Sequence, residues 1–321
     1  MNSLSLNSQP WLVTGAAGFL GSHVVEQLLL RQVPVIGVDD LSGGKWQFLA
    51  PFATNPLFKF VCKDIRAEAP LVDVCRQELP KAVVHLAALH FIPAAMRDPG
   101  LAVSLNVHGT QVVLNAARAA GVRRFFQAST ADVYRSSDRP HSETGEIGPF
   151  NIYGLTKLIG EQLTRLEASN QPDCHFVIGR LFNLYGPRET NPHILPDIFA
   201  QLRNGRNGTL RLGNITPKRD LVPVADAARA VIETVEKSSP GVTTVNIGTG
   251  VSVSMQEVVE LLSSLMGKSL RIETDTGKVR SVERPHLQAD IGALRSLIGW
   301  APHGDLSRGF RELLHSEGVI S

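Results

Sequence analysis

The chain has 321 residues, of which 43% are hydrophobic and 19% are charged, a composition typical of a globular protein with a substantial buried core. Lys and Arg total 32 and Asp and Glu total 30, which gives a formal net charge of +2. So small an excess excludes an overall basic field as the basis for binding nucleic acid or an anionic membrane surface. Any anionic partner must be held by a local site.

The three cysteines, Cys62, Cys75 and Cys174, are widely spaced and lack a metal-ligand spacing such as Cys-x-x-Cys. We expect inert, reduced thiols and no bound metal. The first ten residues are uncharged, and no apolar stretch reaches 18 residues. We therefore expect a cytoplasmic protein with no membrane segment.

Short apolar runs of strand length alternate with helical patterns in the first half of the chain. The predicted strands are Trp11–Thr14, Val35–Val38, Phe58–Val61, Ala82–Leu86 and Arg124–Ala128. The principal predicted helices are Phe19–Gln32, Pro99–Ala120 and Asn151–Asn170. This alternation predicts an α/β fold with a Rossmann-type, doubly wound parallel sheet. Such sheets bind ligands at the carboxyl ends of their strands.

The regular alternation of strand and helix patterns ends after about Phe182. Asn183–Pro196 and Arg203–Pro217 are rich in Pro, Asn and Gly and are predicted as loops. Strand and helix patterns then return, with strands over Leu221–Val224 and Thr243–Ile247 and a helix over Ala225–Glu236. We predict a dinucleotide-type domain over residues 1–182 and 219–249. A smaller, interleaved lobe is predicted over residues 183–218 and 250–321.

A glycine-rich turn joins the first strand to the first helix. Gly15, Gly18 and Gly21 permit a tight turn, and the helix N-terminus offers free N–H groups to a pyrophosphate. The second strand ends at Asp39, which can bond both hydroxyls of an adenosine ribose and would repel a 2′-phosphate. The loop therefore favours NAD over NADP, although the nearby Lys45 leaves some tolerance of NADP open.

Tyr153 and Lys157 lie four residues apart at the start of a predicted helix and so share one face. A nearby ammonium lowers the pKa of a phenol, which makes Tyr153 a candidate acid/base. The same spacing also occurs in an exposed aromatic with a solvated lysine. The preceding strand ends in Ser129 and Thr130, and Thr130 can donate to a substrate oxygen and share a proton with Tyr153, or only cap the turn.

Together these motifs resemble the extended short-chain dehydrogenase/reductase family, in its NAD-dependent epimerase/dehydratase branch, across nearly the whole chain. Thr14–Gly21 is similar to the family's TGxxGFxG loop, and Gly179–Arg188 to its R-x-FNVYGP segment. The resemblance implies NAD as cofactor and Thr130, Tyr153 and Lys157 as catalytic residues. It implies cofactor binding by Gly15, Gly18, Phe19, Leu20, Gly21, Asp39, Asp64, Ile65, Leu86, Ala87, Ala88, Asn106, Ser129, Tyr153, Lys157 and Phe182.

The resemblance also implies a nucleotide-diphosphate sugar as substrate. Thr130 would bind its sugar, while Asn183 and Arg219 are expected at its diphosphate, because the arginine fork matches phosphate oxygens. Arg280 is expected to add a second cation, with Arg284 as its competitor and a surface position as the alternative. His193 is expected to contact the nucleotide or to cap the following helix.

Three positions depart from the family pattern. Arg135 stands where the family has a glycine and is expected to change the floor or rim of the sugar pocket. Ala131 and Asp132 stand where 4,6-dehydratases carry an Asp-Glu pair. Without an acid at position 131, elimination of a C6 hydroxyl is poorly supported.

The resemblance therefore favours an NAD-dependent nucleotide-sugar 4-epimerase that works through a transient 4-keto sugar. An NAD(P)-dependent 4-ketoreductase is the alternative, followed by a 4,6-dehydratase and a non-catalytic NAD sensor. The resemblance implies a homodimer, because in relatives the helices that match Pro99–Ala120 and Asn151–Asn170 pair across a two-fold axis. The apolar residues of Pro99–Ala120 are too many for one face of a helix, and burial against the sheet is the alternative. The nucleotide and the sugar stay open.

Overall fold

The computed structural model describes residues 9–204, 208–278, 284–302 and 305–320. Its large sheet has seven strands, and strands are numbered in chain order. They are β1 (Trp11–Thr14), β2 (Val35–Asp39), β3 (Phe58–Cys62), β4 (Ala82–His85), β5 (Arg124–Thr130), β6 (His175–Leu181) and β10 (Gly241–Ile247). The spatial order is β10-β6-β5-β4-β1-β2-β3, and every neighbouring pair is parallel. The order reverses between β1 and β4, so the predicted doubly wound, Rossmann-type sheet is confirmed.

Helices cover both faces of this sheet and build the smaller lobe. They are α1 (Phe19–Leu30), α2 (Glu68–Glu78), α3 (Ile92–Arg97), α4 (Pro99–Val103), α5 (Gly109–Ala119), α6 (Ile152–Asn170), α7 (Ile194–Arg203), α8 (Val224–Lys237), α9 (Met255–Met266), α10 (Gly292–Ile298) and α11 (Leu306–Ser316). The single helix predicted over Pro99–Ala120 is interrupted, because a π-helical turn, Ser104–His108, separates α4 from α5. Such turns are frequent at functional sites.

Two small sheets lie in the second half of the chain. One contains β7 (Asn183–Tyr185), β9 (Lys218–Pro223), β11 (Ser252–Ser254) and β13 (His286–Leu287), and the other pairs β8 (Thr209–Leu212) with β12 (Arg271–Thr274). The loops predicted over Asn183–Pro196 and Arg203–Pro217 thus contain β7, β8 and the first turn of α7. These strands have three or four residues and pair with distant segments, so local sequence gives little sign of them. Strand β9 joins the small sheet, and the predicted domain boundary at residue 219 stays a prediction.

The core is divided between the faces of the large sheet and the lobe. Helices α1 and α8 pack on one face, and α2 and α5 pack on the other. Val112, Val113 and Leu114 are buried there, so these three residues serve the core and not a dimer surface. In the lobe, α7, α9 and α11 enclose a third cluster, in which the rings of Tyr185 and Phe310 stack at 4.8 Å. Across the described part of the chain, no helix is both long and apolar enough to cross a membrane.

Candidate active site

In the glycine-rich turn, neighbouring backbone segments lie so close together that there is no room for side chains. Gly15 has a φ of +70°, and a Cβ there would lie 2.7 Å from the Ala87 nitrogen. A Cβ on Gly21 would lie 1.9 Å from the Gly15 carbonyl oxygen. Gly18 is the N-cap of α1 and offers no side-chain cap, so the first N–H groups of the helix are left for an anion. The turn therefore fits the pyrophosphate of a dinucleotide.

Asp39 lies at the carboxyl end of β2 beneath this turn and is 7% exposed. Its Oδ2 accepts a hydrogen bond from the Ala17 nitrogen at 3.0 Å, and its Oδ1 accepts one from the Leu41 nitrogen at 2.8 Å. Burial raises the pKa of this carboxyl, and the two backbone donors oppose the rise. A carboxylate offers about four acceptor positions, so the two bonds orient Asp39 and leave capacity for the hydroxyls of a ribose.

The resemblance places Asp64 and Ile65 at the adenine of the cofactor, and both residues lie after β3. The Asp64 carboxylate accepts hydrogen bonds from the Arg66 side chain at 2.6 to 3.0 Å, and this partner lowers the pKa of Asp64. Ile65 is buried and lies under α5, where a Cβ on Gly109 would come within 2.6 Å of it. The two side chains are thus held in place by the protein, and their contact with adenine stays a prediction.

The resemblance places Leu86–Ala88 on the nicotinamide side of the cofactor, and a buried histidine anchors this segment. The His85 ring lies between the hydroxyls of Thr14 at 2.7 Å and Thr110 at 3.0 Å. Burial, with a smaller effect from the charge of Lys157, lowers the pKa of His85 to about 3, so the ring is neutral at pH 7. The Thr14 hydroxyl also accepts a hydrogen bond from the Leu86 nitrogen at 3.3 Å.

Asn106, in the π-helical turn, connects this segment to the helix that carries the candidate acid/base. Its Oδ1 accepts from the Leu89 nitrogen at 2.7 Å, and its Nδ2 donates to the Leu89 carbonyl at 3.1 Å and to the Thr156 hydroxyl at 3.0 Å. That hydroxyl in turn donates to the Tyr153 carbonyl at 2.8 Å. Asn106 therefore acts through other residues and positions the first turn of α6.

Thr130, Tyr153 and Lys157 meet at the carboxyl edge of β5. Helix α6 begins here because the Asn151 side chain caps it, accepting from the Gly154 nitrogen at 2.8 Å. The Thr130 hydroxyl lies close enough to the Tyr153 phenol to lower the pKa of Tyr153. Lys157 is 2% exposed, and burial lowers its pKa to about 8 against the opposing charge of Glu161.

The expected lowering of the tyrosine pKa is not found in the protein alone. Burial raises the pKa of Tyr153, the Asp132 carboxylate raises it further, and the hydrogen bond from Thr130 lowers it. The physical reason is that a buried phenolate loses its hydration, and a neighbouring carboxylate repels it. Tyr153 is therefore a protonated phenol in this state.

A buried ionic network beneath the site was missed by the sequence reasoning. Glu161, one helical turn after Lys157 and fully buried, accepts from the Ser129 hydroxyl at 2.6 Å and from Arg180 at 2.8 and 2.9 Å. Arg180 also donates to the Tyr134 hydroxyl at 3.0 Å. Ser129 was predicted to touch the cofactor, and here its hydroxyl is engaged with Glu161. The i, i+4 spacing of Lys157 and Glu161, which places both side chains on one face of the helix, is the feature of the sequence that indicates this network.

Arg284 holds the turn after Thr130 instead of lying on an open surface. It is 5% exposed and donates to the carbonyl oxygens of Ala131 and Asp132, each at 3.2 Å, and to that of Tyr134. Arg284 therefore supports this turn, and its competition with Arg280 for the diphosphate stays a prediction. Arg280 itself lies outside the described residues.

The other predicted substrate residues lie in the lobe. Asn183 in β7 and Arg219 in β9 are on paired strands of the same small sheet. His193 is the N-cap residue of α7 but makes no side-chain cap, and its ring lies edge-on to Phe91 at 5.3 Å. Arg135 pairs with Glu146 at 2.9 Å, and both side chains are about two-thirds exposed, so this pair belongs to the surface.

Residues 11–248 match the model of the NAD dependent epimerase/dehydratase family. A UDP-glucose 4-epimerase from Mycolicibacterium smegmatis is 32% identical over 304 residues, which cover 93% of this chain and 95% of that protein. A UDP-glucose 4-epimerase from Thermotoga maritima, solved with UDP-glucose, superposes with a TM-score of 0.85 at 28% identity, covering 96% of this chain and 98% of that one. A mutant dTDP-glucose 4,6-dehydratase from Streptomyces venezuelae, solved with NAD, also has a TM-score of 0.85, at 29% identity and 95% and 96% coverage.

The chain belongs to the NAD dependent epimerase/dehydratase family. This confirms the resemblance read from the motifs, the Rossmann-type fold and NAD as the cofactor. The class is that of an NAD-dependent sugar-nucleotide enzyme. Its relatives carry out more than one reaction, so the choice of reaction must come from the residues at the site.

Proposed function

We propose that this protein is a nucleotide-sugar 4-epimerase that works through a transient 4-keto sugar. The observation that carries the proposal is that Tyr153 lies beside the Thr130 hydroxyl, with Lys157 one helical turn further on. Bound NAD supplies a reversible hydride acceptor. Once ionised, Tyr153 would accept the proton of the C4 hydroxyl when that carbon is oxidised, and would return the proton when the keto sugar is reduced from its other face.

Thr130 and Lys157 would make this proton transfer accessible to a tyrosine that is otherwise hard to ionise. The Thr130 hydroxyl stabilises the phenolate by hydrogen bonding, and burial concentrates the effect of any positive charge brought next to it. Lys157, with a pKa of about 8, is mainly charged at pH 7 and can hold a ribose hydroxyl. Asp132 acts in the opposite direction, since it raises the pKa of Tyr153.

The turn after Thr130 supports epimerisation over dehydration. Ala131 is 2% exposed and has no acid to offer a C6 hydroxyl. The Asp132 nitrogen donates to the Thr130 hydroxyl at 3.2 Å, and its carboxylate lies 3.9 Å from Arg284. Asp132 is thus a local partner of the turn.

The substrate is proposed to be a nucleotide-diphosphate sugar held by Asn183, Arg219, Arg280 and His193. Asn183 and Arg219 lie on neighbouring strands, which supports a shared role, and a guanidinium pairs well with phosphate oxygens. The adenosine ribose is proposed to bind Asp39. Which nucleotide and which sugar fit is decided by the test below.

The test is a panel of UDP, dTDP, GDP and CDP sugars incubated with the enzyme and NAD. Products are separated by chromatography while NADH is followed at the same time. Epimer formation without a net change in NADH is the expected result. Stoichiometric consumption of NADH or NADPH by a 4-keto sugar would replace the epimerase with a reductase, and release of water to a 4-keto-6-deoxy sugar would replace it with a dehydratase.

We also propose a cytoplasmic homodimer. Val103, Leu155, Ile159 and Leu166 on α4 and α6 are exposed by 36% to 62%, and an apolar surface of this kind favours association. All three cysteines are free, which supports a reducing compartment. Sedimentation of a monomer at micromolar concentration would contradict the dimer. The double variant Leu155→Glu/Ile159→Glu, which places two negative charges on this surface, should be a monomer.

A further inference from the structure

Two loops that border the proposed site bring two histidines and a glutamate together. His90 follows β4, whereas Glu189 and His193 lie between β7 and α7. Their candidate ligand atoms all lie within 4.8 Å of one another. Two imidazoles and one carboxylate form the donor set of zinc sites that have three protein ligands and one open position. We propose that these three side chains bind a divalent transition-metal ion, with Zn²⁺ preferred.

The Glu189 carboxylate is already oriented as a ligand. Its Oε1 accepts hydrogen bonds from the backbone nitrogens of Thr190 at 2.8 Å and Asn191 at 3.0 Å. Both bonds go to one oxygen, so Oε2 is the oxygen that a cation would take. Hydrogen bonds from the surrounding protein to a ligating carboxylate fix its direction and are a regular part of metal sites.

The two rings are also fixed in place. The Asn191 amide donates to His90 Nε2 at 2.8 Å, so the lone pair of that nitrogen points towards the Glu189 loop. An ion bound there would replace the Asn191 amide. His193 packs edge-on against Phe91, with the ring planes at 75°.

The ligand spacing requires only a small contraction. Tetrahedral zinc with bonds of about 2.0 to 2.1 Å places its ligand atoms roughly 3.3 Å apart, so each atom would move by about 1 Å. Side-chain rotation supplies such a movement. Because His90 lies on one loop and the other two ligands on the second loop, the ion would tie the loop after β7 to the loop after β4. His193 would then be a ligand of the ion and not of the nucleotide, while the epimerase reaction itself does not depend on this ion.

The test is Zn²⁺ titration of tag-free, chelator-treated full-length protein by calorimetry, followed by Co²⁺ substitution. Wild-type protein should bind one Zn²⁺ per chain, and its Co²⁺ form should show the strong visible bands of a tetrahedral site. His90→Ala, Glu189→Gln and His193→Ala should each weaken Zn²⁺ binding on the order of 100-fold or more, since loss of a ligand exceeds loss of a ligand's supporting partner. Without metal, the three variants should unfold at the same temperature as the wild type.

Asn191→Ala is the matched control, because it changes the same loop and keeps all three ligands. It should bind Zn²⁺ at least as tightly as the wild type. An equal loss of affinity in Asn191→Ala would assign the effect to loop conformation and overturn the proposal. Wild-type protein that takes up no Zn²⁺, or takes it up equally after all three ligand substitutions, would overturn it as well.

Discussion

The carboxyl edge of the large sheet and the small lobe satisfy their polar groups in different ways. At the edge, Ser129, Glu161 and Arg180 form a closed network of buried hydrogen bonds. In the lobe, the buried Tyr185 hydroxyl has no hydrogen-bond partner among the described residues, and the ring is held by stacking on Phe310. The cluster of Ser129, Glu161 and Arg180 is therefore held by directional bonds, whereas the pair of Tyr185 and Phe310 is held by apolar packing. Removing one polar atom should have a large effect in the first cluster and a small one at Tyr185.

The largest contrast is expected between two tyrosines. Tyr153→Phe removes the acid/base hydroxyl and should lower turnover by about 10²- to 10⁴-fold. Tyr185→Phe removes a buried hydroxyl that has no hydrogen-bond partner in the described part of the chain, and it should leave turnover near the wild-type value. Steady-state kinetics on the active nucleotide sugar, with NAD affinity measured in parallel, checks both. Tyr153→Phe protein that binds NAD normally and retains more than a tenth of its turnover would contradict the assigned role.

A second comparison concerns the free energy of unfolding after substitution of a buried and an exposed glutamate. Glu161→Gln leaves the 3%-exposed Arg180 without its counter-charge and should lower the free energy of unfolding by about 3 to 5 kcal/mol. Glu146→Gln breaks the exposed pair with Arg135 and should cost under about 1 kcal/mol. Urea denaturation of both variants provides the comparison. Equal losses would show that the buried network does not determine the stability of the edge.

The pKa of Lys157 predicts a pH dependence of stability in the NAD-free protein. In the folded protein this lysine releases its proton near pH 8, while in the unfolded chain it holds it to about pH 10.4. The unfolded state therefore binds more protons between these values, and the free energy of unfolding should rise with pH by up to about 3 kcal/mol. Lys157→Met should lack this rise. If the difference in the free energy of unfolding between the wild type and Lys157→Met stayed constant from pH 8 to 10, the lowered pKa of Lys157 would be contradicted.

Much of the fold and of the site could be predicted from the sequence because the relevant signals are local. The strand at Trp11–Thr14, the glycine turn and the Tyr153/Lys157 spacing are each contained within a few consecutive residues. The rest depends on contacts between distant segments. Arg284 bonds to a turn about 150 residues earlier, and Asn106 reaches both Leu89 and Thr156. Burial of Tyr153, which reverses the expected direction of its pKa shift, also depends on the assembled fold.

The smallest expected difference is between alanine substitutions at two glycines near the proposed cofactor site, Gly21 and Gly43. An alanine Cβ at Gly21 would lie 1.9 Å from the Gly15 carbonyl, and neither backbone can move without opening the turn. Gly21→Ala should lower stability by roughly 1 to 3 kcal/mol and weaken NAD binding. At Gly43 a Cβ would meet nothing within 4 Å, so Gly43→Ala should leave both properties unchanged. NAD titration and denaturation of the two variants compare them directly. If Gly21→Ala kept wild-type NAD affinity, the close packing of the turn would serve the helix and the sheet alone, and the pyrophosphate would need another donor.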